Sequence, residues 1–330
     1  MRIMVALGGN ALLQRGQKPD AAIQQENVRR AVAALAPLSA QHELIVTHGN
    51  GPQVGVLALQ SASDPNLTTP YPFDVLGAQT QGMIGYWLLQ AMQNELPGRQ
   101  VAAVINQTLV EAGDPAFDNP TKFVGEVYTE EQAKKVAAER GWVVKADGTS
   151  GWRRVVGSPR PQRVVETRLI RRLLQSDAIV VCAGGGGVPV IRDEEGRLRG
   201  VEAVVDKDLT SSVLAEALDA DFLIVATDVP QVMKDFGQPT QEPILRATPA
   251  GLRGLDLPAG SMGPKVEAVC RFVELTGGAA AIGALDHTVE ILAGTSGTIV
   301  TPSGTYDPGL LRATKSHATV SAADGGLSAG

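Results

Sequence analysis

The sequence predicts an α/β protein in which helices cover both faces of a mostly parallel sheet. One unit recurs along the 330-residue chain, in which a short apolar strand ends in glycines or a polar triplet and a helix-type pattern follows. The strands are continuous apolar runs, as expected for strands that are buried on both faces. Six such units occur, namely IMVALGGNAL, ELIVTHGNGPQVGVLALQ, AIVVCAGGGGVPV, VEAVVDKDLTSSVLAEAL, DFLIVATDVPQV and AAAIGALDHTVEIL.

Two of the intervening helices have a clear apolar face. In residues 21–38 and 263–276 the apolar positions recur at intervals of three and four. This spacing is typical of an amphipathic helix that packs on a sheet. The second helix is predicted to stop at Gly277 and Gly278, because glycine commonly ends a helix.

Two segments depart from the alternation of strands and helices. Residues 112–163 are rich in Pro, Gly, Trp and charged residues, and we predict that they form a protruding subdomain, which we call the lid. We assign residues 1–301 to the main domain. Residues 302–330 are mostly small or polar and lack periodicity. They predict a mobile tail that the fold, the assembly and the activity do not need.

Composition and charge exclude several classes of function. The formal net charge is -6 and no long basic run occurs, so no nucleic-acid partner is predicted. No apolar stretch reaches the length of about 18 residues that would predict a membrane span. The N-terminus is typical of a first strand and not of a signal peptide. Cys182 and Cys270 lie in apolar runs, which favours a reducing, cytoplasmic compartment. The four histidines show no metal-ligand spacing, and no metal-ligating residue is predicted.

Three glycine-rich loops at strand ends are candidates for binding an anion. Glycine lets backbone N–H groups approach a ligand, and a following helix N-terminus adds positive potential. In a parallel sheet such loops meet outside the carboxyl ends of the strands. The same glycines would also serve tight turns that pack a helix against the sheet, so both interpretations stay open. The candidate binding residues are Gly8, Gly9, Asn10, Gly49, Asn50, Gly51, Gly184 and Gly185.

A dinucleotide-binding loop is the rival interpretation of the second glycine loop. Gly49, Gly51 and Gly55 form G-x-G-x-x-x-G after a strand. The spacing is one residue longer than the dinucleotide fingerprint, and the motif occurs in the second unit instead of the first. These departures disfavour a dehydrogenase. The phosphate-binding G-x-x-x-x-G-K-[ST] motif is also absent from the sequence.

Three lysines occur in unusual settings. Lys122 lies in the lid, Lys207 stands between two aspartates at a predicted strand tip, and Lys265 directly precedes the apolar face of a helix. Each lysine alone is typical of a solvated surface. Lysines that converge on a glycine-lined crevice are what phosphoryl transfer requires, because its transition state spreads negative charge over several oxygens.

With these residues the chain resembles the carbamate kinases of the amino acid kinase family. No single matching stretch is specific, but together they follow the order of the family from residue 1 to about residue 300. They are ALGGNAL, THGNGPQVG, DVLGAQTQGMIGYWL, GDPAFDNPTK, GWRRVV, GGGGVPV, GVEAVVDKDL, ATDV and GSMGPKVEA.

The resemblance implies a fold and a reaction. The fold is a three-layer α/β/α sandwich, amino acid kinase-like, with a protruding lid. An N-terminal half of about 1–175 holds carbamate, and a C-terminal half of about 176–301 holds the nucleotide. The reaction is reversible phosphoryl transfer from ATP to carbamate, which gives ADP and carbamoyl phosphate with Mg²⁺ carried by the nucleotide. The resemblance further implies a homodimer that forms ATP in arginine catabolism or another route yielding carbamoyl phosphate.

The resemblance also assigns roles to residues. Carbamate is already an anion, so its phosphorylation needs no general base. The implied catalytic residues are Lys122, Lys207, Asp208 and Lys265, and Asp228 and Met262 join Lys207 and Lys265 at the nucleotide. Asp208 and its neighbour Asp206 would orient the lysines and keep them charged. Phe123 and Gly157 stand where the family usually has proline, which puts the rigidity of the lid in question.

Two alternatives remain at this stage. The chain could be another member of the amino acid kinase family that phosphorylates a different small acid. It could also be a non-catalytic binder of nucleotide or carbamoyl phosphate. The motif around Lys122 favours carbamate as the acceptor, and the intact set of lysines argues against a non-catalytic protein.

Overall fold

The computed structural model of the chain describes residues 1–14, 16–148, 151–255 and 262–309. The strands in this part of the chain are β1 (Arg2–Leu7), β2 (Glu43–His48), β3 (Val101–Ala103), β4 (Gln107–Val110), β5 (Lys122–Tyr128), β6 (Val144–Ala146), β7 (Trp152–Val156), β8 (Pro161–Val164), β9 (Ile179–Val181), β10 (Val188–Arg192), β11 (Leu198–Gly200), β12 (Phe222–Thr227), β13 (Val232–Lys234), β14 (Glu242–Ile244), β15 (Arg246–Ala247), β16 (Ala279–Ala284) and β17 (Thr298–Val300).

The helices follow the same chain order. They are α1 (Ala21–Ser39), α2 (Gly51–Ser63), α3 (Phe73–Glu95), α4 (Glu130–Arg140), α5 (Thr167–Gln175), α6 (Lys207–Ala217), α7 (Pro249–Arg253), α8 (Met262–Thr276) and α9 (Thr288–Ala293). The two helices predicted from periodicity appear as α1 and α8. No helix in the described ranges is both long and apolar enough to cross a membrane.

The centre of the molecule is an eight-stranded sheet with the order β15-β17-β16-β12-β1-β2-β9-β3. All neighbouring strands in it are parallel except β16 and β17. This confirms the predicted, mostly parallel sheet. Because β12, β1 and β2 are adjacent and parallel, the loops that follow them meet at one edge.

Helices cover both faces of this sheet. Successive residues of β1 alternate between two apolar cores, with Met4 and Ala6 on one face and Ile3, Val5 and Leu7 on the other. The first core includes side chains of α5, α6, α7 and α8, and the second includes side chains of α1, α3 and α9. The alternation follows from the two-residue period of a strand. The predicted three-layer α/β/α sandwich is confirmed.

One predicted strand is wrong. The VEAVV run before Asp206 was expected to be a strand of the main sheet, but only Ala203 forms a bridge, and its partner is Gly157 in the lid. Four other strands form a second sheet with the order β11-β10-β4-β8. Strands β13 and β14 form a separate hairpin. Apolar β-branched residues favour extended backbone, but they do not specify which edge the backbone pairs with.

The lid contains its own small sheet and helix. Strands β5, β7 and β6 form a three-stranded antiparallel sheet, and α4 connects β5 to β6. Thr129 and Gln132 form a capping box at the start of α4, and Gly141 ends it in the left-handed conformation. Phe123 lies beneath the guanidinium of Arg153, with 5.8 Å to the ring centroid. The small sheet and its helix are therefore formed entirely by residues 122–156, which lie within the 112–163 segment.

The strand order of the main sheet shows where the chain passes from one side of β1 to the other. Strand β9 lies between β2 and β3, among the strands of the N-terminal half. The chain reaches the other side of β1 only at β12. The chain therefore passes across β1 between β9 and β12, and the division into two halves at about residue 175 stays a prediction.

The start of the predicted tail is packed on the domain. The ring of Tyr306 meets the ring of Phe222 edge-on with 5.8 Å between centroids, and its hydroxyl donates a 2.7 Å hydrogen bond to the Leu292 carbonyl. Burial raises the pKa of Tyr306 to about 12. Tyr306 therefore packs residues 302–309 on the domain, although this segment has low overall hydrophobicity. Residues 310–330 lie outside the described residues, and their mobility stays a prediction.

Tyr306 makes the end of the main domain testable by truncation. A chain that ends after Gly309 should melt like the full chain. A chain that ends after Pro302 should melt roughly 4–10 °C lower, because it loses a half-buried aromatic ring. Tyr306→Ala in the full chain should reproduce most of that loss, and Tyr306→Phe only a small part. Calorimetry of the four proteins checks this, and equal melting temperatures for the two truncations would contradict it.

Candidate active site

The Asp206-Lys207-Asp208 triplet begins helix α6. Asp206 is the N-cap, and its Oδ1 accepts the backbone N–H groups of Asp208 at 2.9 Å and Leu209 at 3.2 Å. Aspartate is among the preferred N-cap residues because it satisfies these otherwise unpaired donors. The expectation of a strand tip was therefore wrong, and the triplet lies at a helix N-terminus, which carries positive potential.

Asp208 lies between two lysines in the interior. It is 3% exposed, and its two carboxylate oxygens separately accept Nζ of Lys207 and Nζ of Lys265, the latter at 2.9 Å. Burial alone would raise the pKa of Asp208, but the two ammonium groups outweigh it and lower that pKa. Burial lowers the pKa of Lys207, and Asp208 opposes this. Asp208 is thus held as a carboxylate that keeps two buried cations together.

The lid contributes the third lysine. Nζ of Lys122 lies 3.2 Å from Oδ2 of Asp206, the carboxylate oxygen that does not cap the helix. The structure thus brings Lys122, Lys207 and Lys265 to one place. The three ammonium groups carry one more charge than the paired carboxylates of Asp206 and Asp208, so this cluster has one excess positive charge. A partly buried excess of this kind favours binding of an anion.

The first two glycine loops lie against each other and against Lys207. A Cβ added to Gly49 would be 3.2 Å from the backbone nitrogen of Gly9 and 3.6 Å from Cδ of Lys207. A Cβ on Gly8 would be 3.0 Å from the carbonyl oxygen of Ala226 at the end of β12. The lack of side chains therefore allows the strand ends to approach one another at this edge. Gly51 begins α2, with Asn50 as its N-cap residue.

The third glycine loop closes over the second. Gly185 has a left-handed backbone with φ of 63°, and a Cβ there would collide with the amide of Asn50. That amide is fixed by its donation to Oγ1 of Thr80 at 2.8 Å. Gly184 lies against the ring of His48. The glycines of both loops are therefore required by close approach as well as by any ligand.

A cleft of about 630 Å³ opens beside these loops. Asn10 spans it, because its Nδ2 donates to Oδ2 of Asp228 at 2.9 Å. Lys265 lines the cleft, whereas Met262 begins α8 and packs half-buried against the apolar core. In the described ranges no three His, Cys, Asp or Glu side chains are grouped so that they could hold a metal ion. The residues that line the cleft include Gly8, Gly9, Asn10, Pro52, Asp228, Lys265 and Asp286.

Several polar residues that support the site were not predicted. Oδ1 of Asn106 accepts the N–H of Ala183 at 2.6 Å, and its backbone N–H donates to Oε1 of Gln81 at 3.0 Å. The hydroxyls of Ser211 and Thr47 are hydrogen-bonded at 2.7 Å, and Ser211 also donates to the Lys207 carbonyl. These partners lie far apart in sequence. Their only signal was the presence of isolated polar residues beside apolar runs, which does not identify a partner.

Comparison with known proteins now decides the family. The model of the amino acid kinase family matches residues 1–282. The chain belongs to this family. A carbamate kinase of Rhizobium meliloti (strain 1021) is 50% identical over 307 residues, which cover 92% of this chain and 94% of that protein. A carbamate kinase of Haemophilus influenzae is 49% identical over 302 residues, which cover 91% of this chain and 97% of that protein.

A solved structure agrees with these relatives. Carbamate kinase from Giardia lamblia bound to AMP-PNP superposes with a TM-score of 0.84 at 38% identity, over 91% of this chain and 98% of that one. The chain is therefore a kinase of the amino acid kinase family whose matched relatives are carbamate kinases. The earlier recognition from sequence is confirmed.

His48 makes the stability of this amino acid kinase sensitive to acid. It is 1% exposed, its Nδ1 lies 2.9 Å from the Gly49 carbonyl, and burial together with the charge of Lys207 lowers its pKa to about 4. The unfolded chain protonates His48 near its ordinary pKa of about 6.5. As the pH falls from about 6.5 to about 4, only the unfolded state gains this proton, so stability is lost across that window.

We therefore predict that His48→Gln loses less stability on acidification than the unmodified protein. Between pH 7.5 and 5 the difference in the change of unfolding free energy should be roughly 2 kcal/mol. Denaturant unfolding at the two pH values measures it. His287→Gln, a change at an exposed histidine, serves as the control and should follow the unmodified protein. Parallel losses in all three proteins would contradict the assignment.

Proposed function

We propose that the chain transfers a phosphoryl group reversibly between ATP and carbamate, giving ADP and carbamoyl phosphate. The observation that carries the proposal is the buried Lys207–Asp208–Lys265 arrangement with Lys122 beside it. It is supported by the 50% identity to a carbamate kinase over 92% of the chain.

The arrangement suits a reaction between two anions. Phosphoryl transfer spreads negative charge over the oxygens of the moving group, and catalysis consists mainly of positioning and electrostatic stabilisation. We assign Lys207 to the transferred phosphoryl group, Lys265 to the nucleotide phosphates and Lys122 to the acyl-phosphate end. Carbamate brings its own negative charge, so its attack needs no general base.

We further propose which neighbouring residues bind each substrate. The backbone N–H groups of the glycine loops would contact carbamate and the transferred group. Asp228 lies in the cleft beside Lys265, where the nucleotide would bind. Mg²⁺ would enter as part of the nucleotide substrate, since this ion commonly binds through substrate phosphates and one or two carboxylates.

We propose a homodimer in the cytoplasm. Strand β3 is the end strand of the main sheet, and nearby Tyr86 and Ile105 are 52% and 59% exposed. An unpaired edge beside exposed apolar side chains is suited to cover by a second copy of the chain. The two free, buried cysteines favour a reducing compartment. The ATP-forming direction in arginine or other carbamoyl phosphate-yielding catabolism rests on the family resemblance alone.

A coupled assay tests the function directly. Purified protein with MgADP and carbamoyl phosphate should form ATP, which hexokinase and glucose-6-phosphate dehydrogenase report. Acetyl phosphate and aspartyl phosphate, at the same concentration, should give little ATP. Faster ATP formation from another acyl phosphate would identify a different acceptor acid. Nucleotide binding without ATP formation from any of them would identify a non-catalytic binder.

Lys122 should discriminate between the two substrates. Lys122→Ala should lower kcat/KM for carbamoyl phosphate by about 10² or more, because a cation is removed from the developing charge. Its effect on ADP affinity, measured by calorimetry, should be less than about threefold, because the proposed nucleotide phosphate lysine is Lys265. Lys145→Ala is a matched lid control, since Lys145 bonds Asn119 within the lid region. A large loss of ADP affinity with normal carbamoyl phosphate kinetics would place Lys122 at the nucleotide instead.

A further inference from the structure

A second charged contact joins the lid to the main domain. Arg154 lies in β7 with its side chain largely buried, and its guanidinium donates to Oε1 of Glu202. Oε2 of the same carboxylate accepts the N–H of Phe73 at 2.8 Å, at the start of α3. Glu202 thus connects the lid to a helix of the main domain through its two oxygens.

Arg154 is also packed between two aromatic rings. Its guanidinium carbon lies 4.2 Å from the ring centroid of Trp142, in the lid, and 5.0 Å from that of Phe73, in the main domain. A planar guanidinium both stacks on rings and bonds a carboxylate, which a lysine cannot do equally well. Burial lowers the pKa of Arg154, whereas Glu202 raises it. Losing Glu202 would therefore leave a largely buried cation without its partner.

Arg154 and Lys122 belong to one rigid face of the lid. In the pairing of β5 with β7, Val124 is opposite Arg154 and Lys122 is opposite Val156. Residues two apart on a strand share a face, and directly paired residues do as well. Val124 and Val156 pack in an apolar cluster with Phe73. Arg154 and Lys122 are therefore diagonal neighbours on the face that meets the main domain.

The contacts of this face follow one short segment of the main domain. The carboxylates of Glu202 and Asp206 accept hydrogen bonds from Arg154 and Lys122, respectively. Between them, Val204 donates its N–H to the Gly157 carbonyl at 3.0 Å. The segment ends at the N-cap of α6, directly before Lys207 and Asp208. The position of the lid is thereby coupled to the backbone that carries the catalytic lysine.

We infer that Arg154 is a positioning residue that acts through Lys122. By pairing with Glu202 between Phe73 and Trp142, it holds the lid where Lys122 reaches the substrate anions. The inference rests on the proposed function, because it requires Lys122 to act on carbamoyl phosphate. It assigns no substrate contact to Arg154 itself.

The test compares Arg154→Ala, Arg154→Lys and Lys122→Ala with the double variant that carries both alanine changes. Arg154→Ala should lower kcat/KM for carbamoyl phosphate by about 10-fold to 100-fold, the loss expected from a misplacement of about 1 Å. ADP affinity by calorimetry should change less than about threefold. Arg154→Lys should recover part of the activity, because it keeps the charge but loses the planar stacking. Adding Arg154→Ala to Lys122→Ala should cost only about twofold more, since both changes remove the same effect.

Arg153→Ala is the matched control. Arg153 is adjacent in β7, but it pairs with Asp147 at 3.0 Å within the lid. Equal kinetics for Arg153→Ala and Arg154→Ala would overturn the inference, and so would losses that multiply in the double variant. If the Arg154 variants melt below the assay temperature, Glu202→Gln should show the same selective loss with a smaller magnitude, and normal kinetics in that variant would overturn the inference. Absence of ATP formation by the unmodified protein would instead reject the proposed function.

Discussion

The carboxylate of Asp208 lies between the ammonium groups of Lys207 and Lys265, and all three side chains are largely buried. Ionised groups lose much hydration energy on burial, and only close pairing compensates for the loss. One carboxylate cannot neutralise two cations, so the interior retains an excess of positive charge until an anion binds. The shared carboxylate of Asp208 explains why the two ammonium groups lie close together despite their like charges.

The fold supplies the members of this arrangement from the first turns of two helices. Asp208 and Lys207 lie in the first turn of α6, Lys265 lies in the first turn of α8, and the two helices pack side by side on one face of the sheet. The glycine loops after β1 and β2 follow adjacent strand ends, and Gly49 lies against Gly9 and Lys207. Lys122 is the exception, because it lies in the lid and its position depends on how the lid rests on the main domain.

The sequence predicted the helices and strands around the site better than it predicted the contacts between them. The parallel sheet, α1 and α8 followed from apolar runs and periodicity, whereas the grouping of the three lysines was implied by the family resemblance. The VEAVV run was assigned to the main sheet because composition shows that a segment is extended but not where it pairs. The ion pair of Arg154 with Glu202 and the anchoring of Tyr306 on Phe222 join residues 48 and 84 positions apart. Such contacts arise from tertiary packing, and no local pattern in the sequence specifies them.

The central claim is that Asp208 acts as a negative charge that holds the ammonium groups of Lys207 and Lys265 together. The most direct measurement is the pH profile of kcat for Asp208→Asn, with Glu216→Gln, at the other end of α6, as the control. The amide keeps the shape but removes the charge, so the pKa of Lys207, which burial already lowers, should fall further. The account predicts a loss of about 10² or more in kcat at pH 8, with activity that rises as the pH is lowered. A folded Asp208→Asn protein with the normal turnover and the normal pH profile would contradict it.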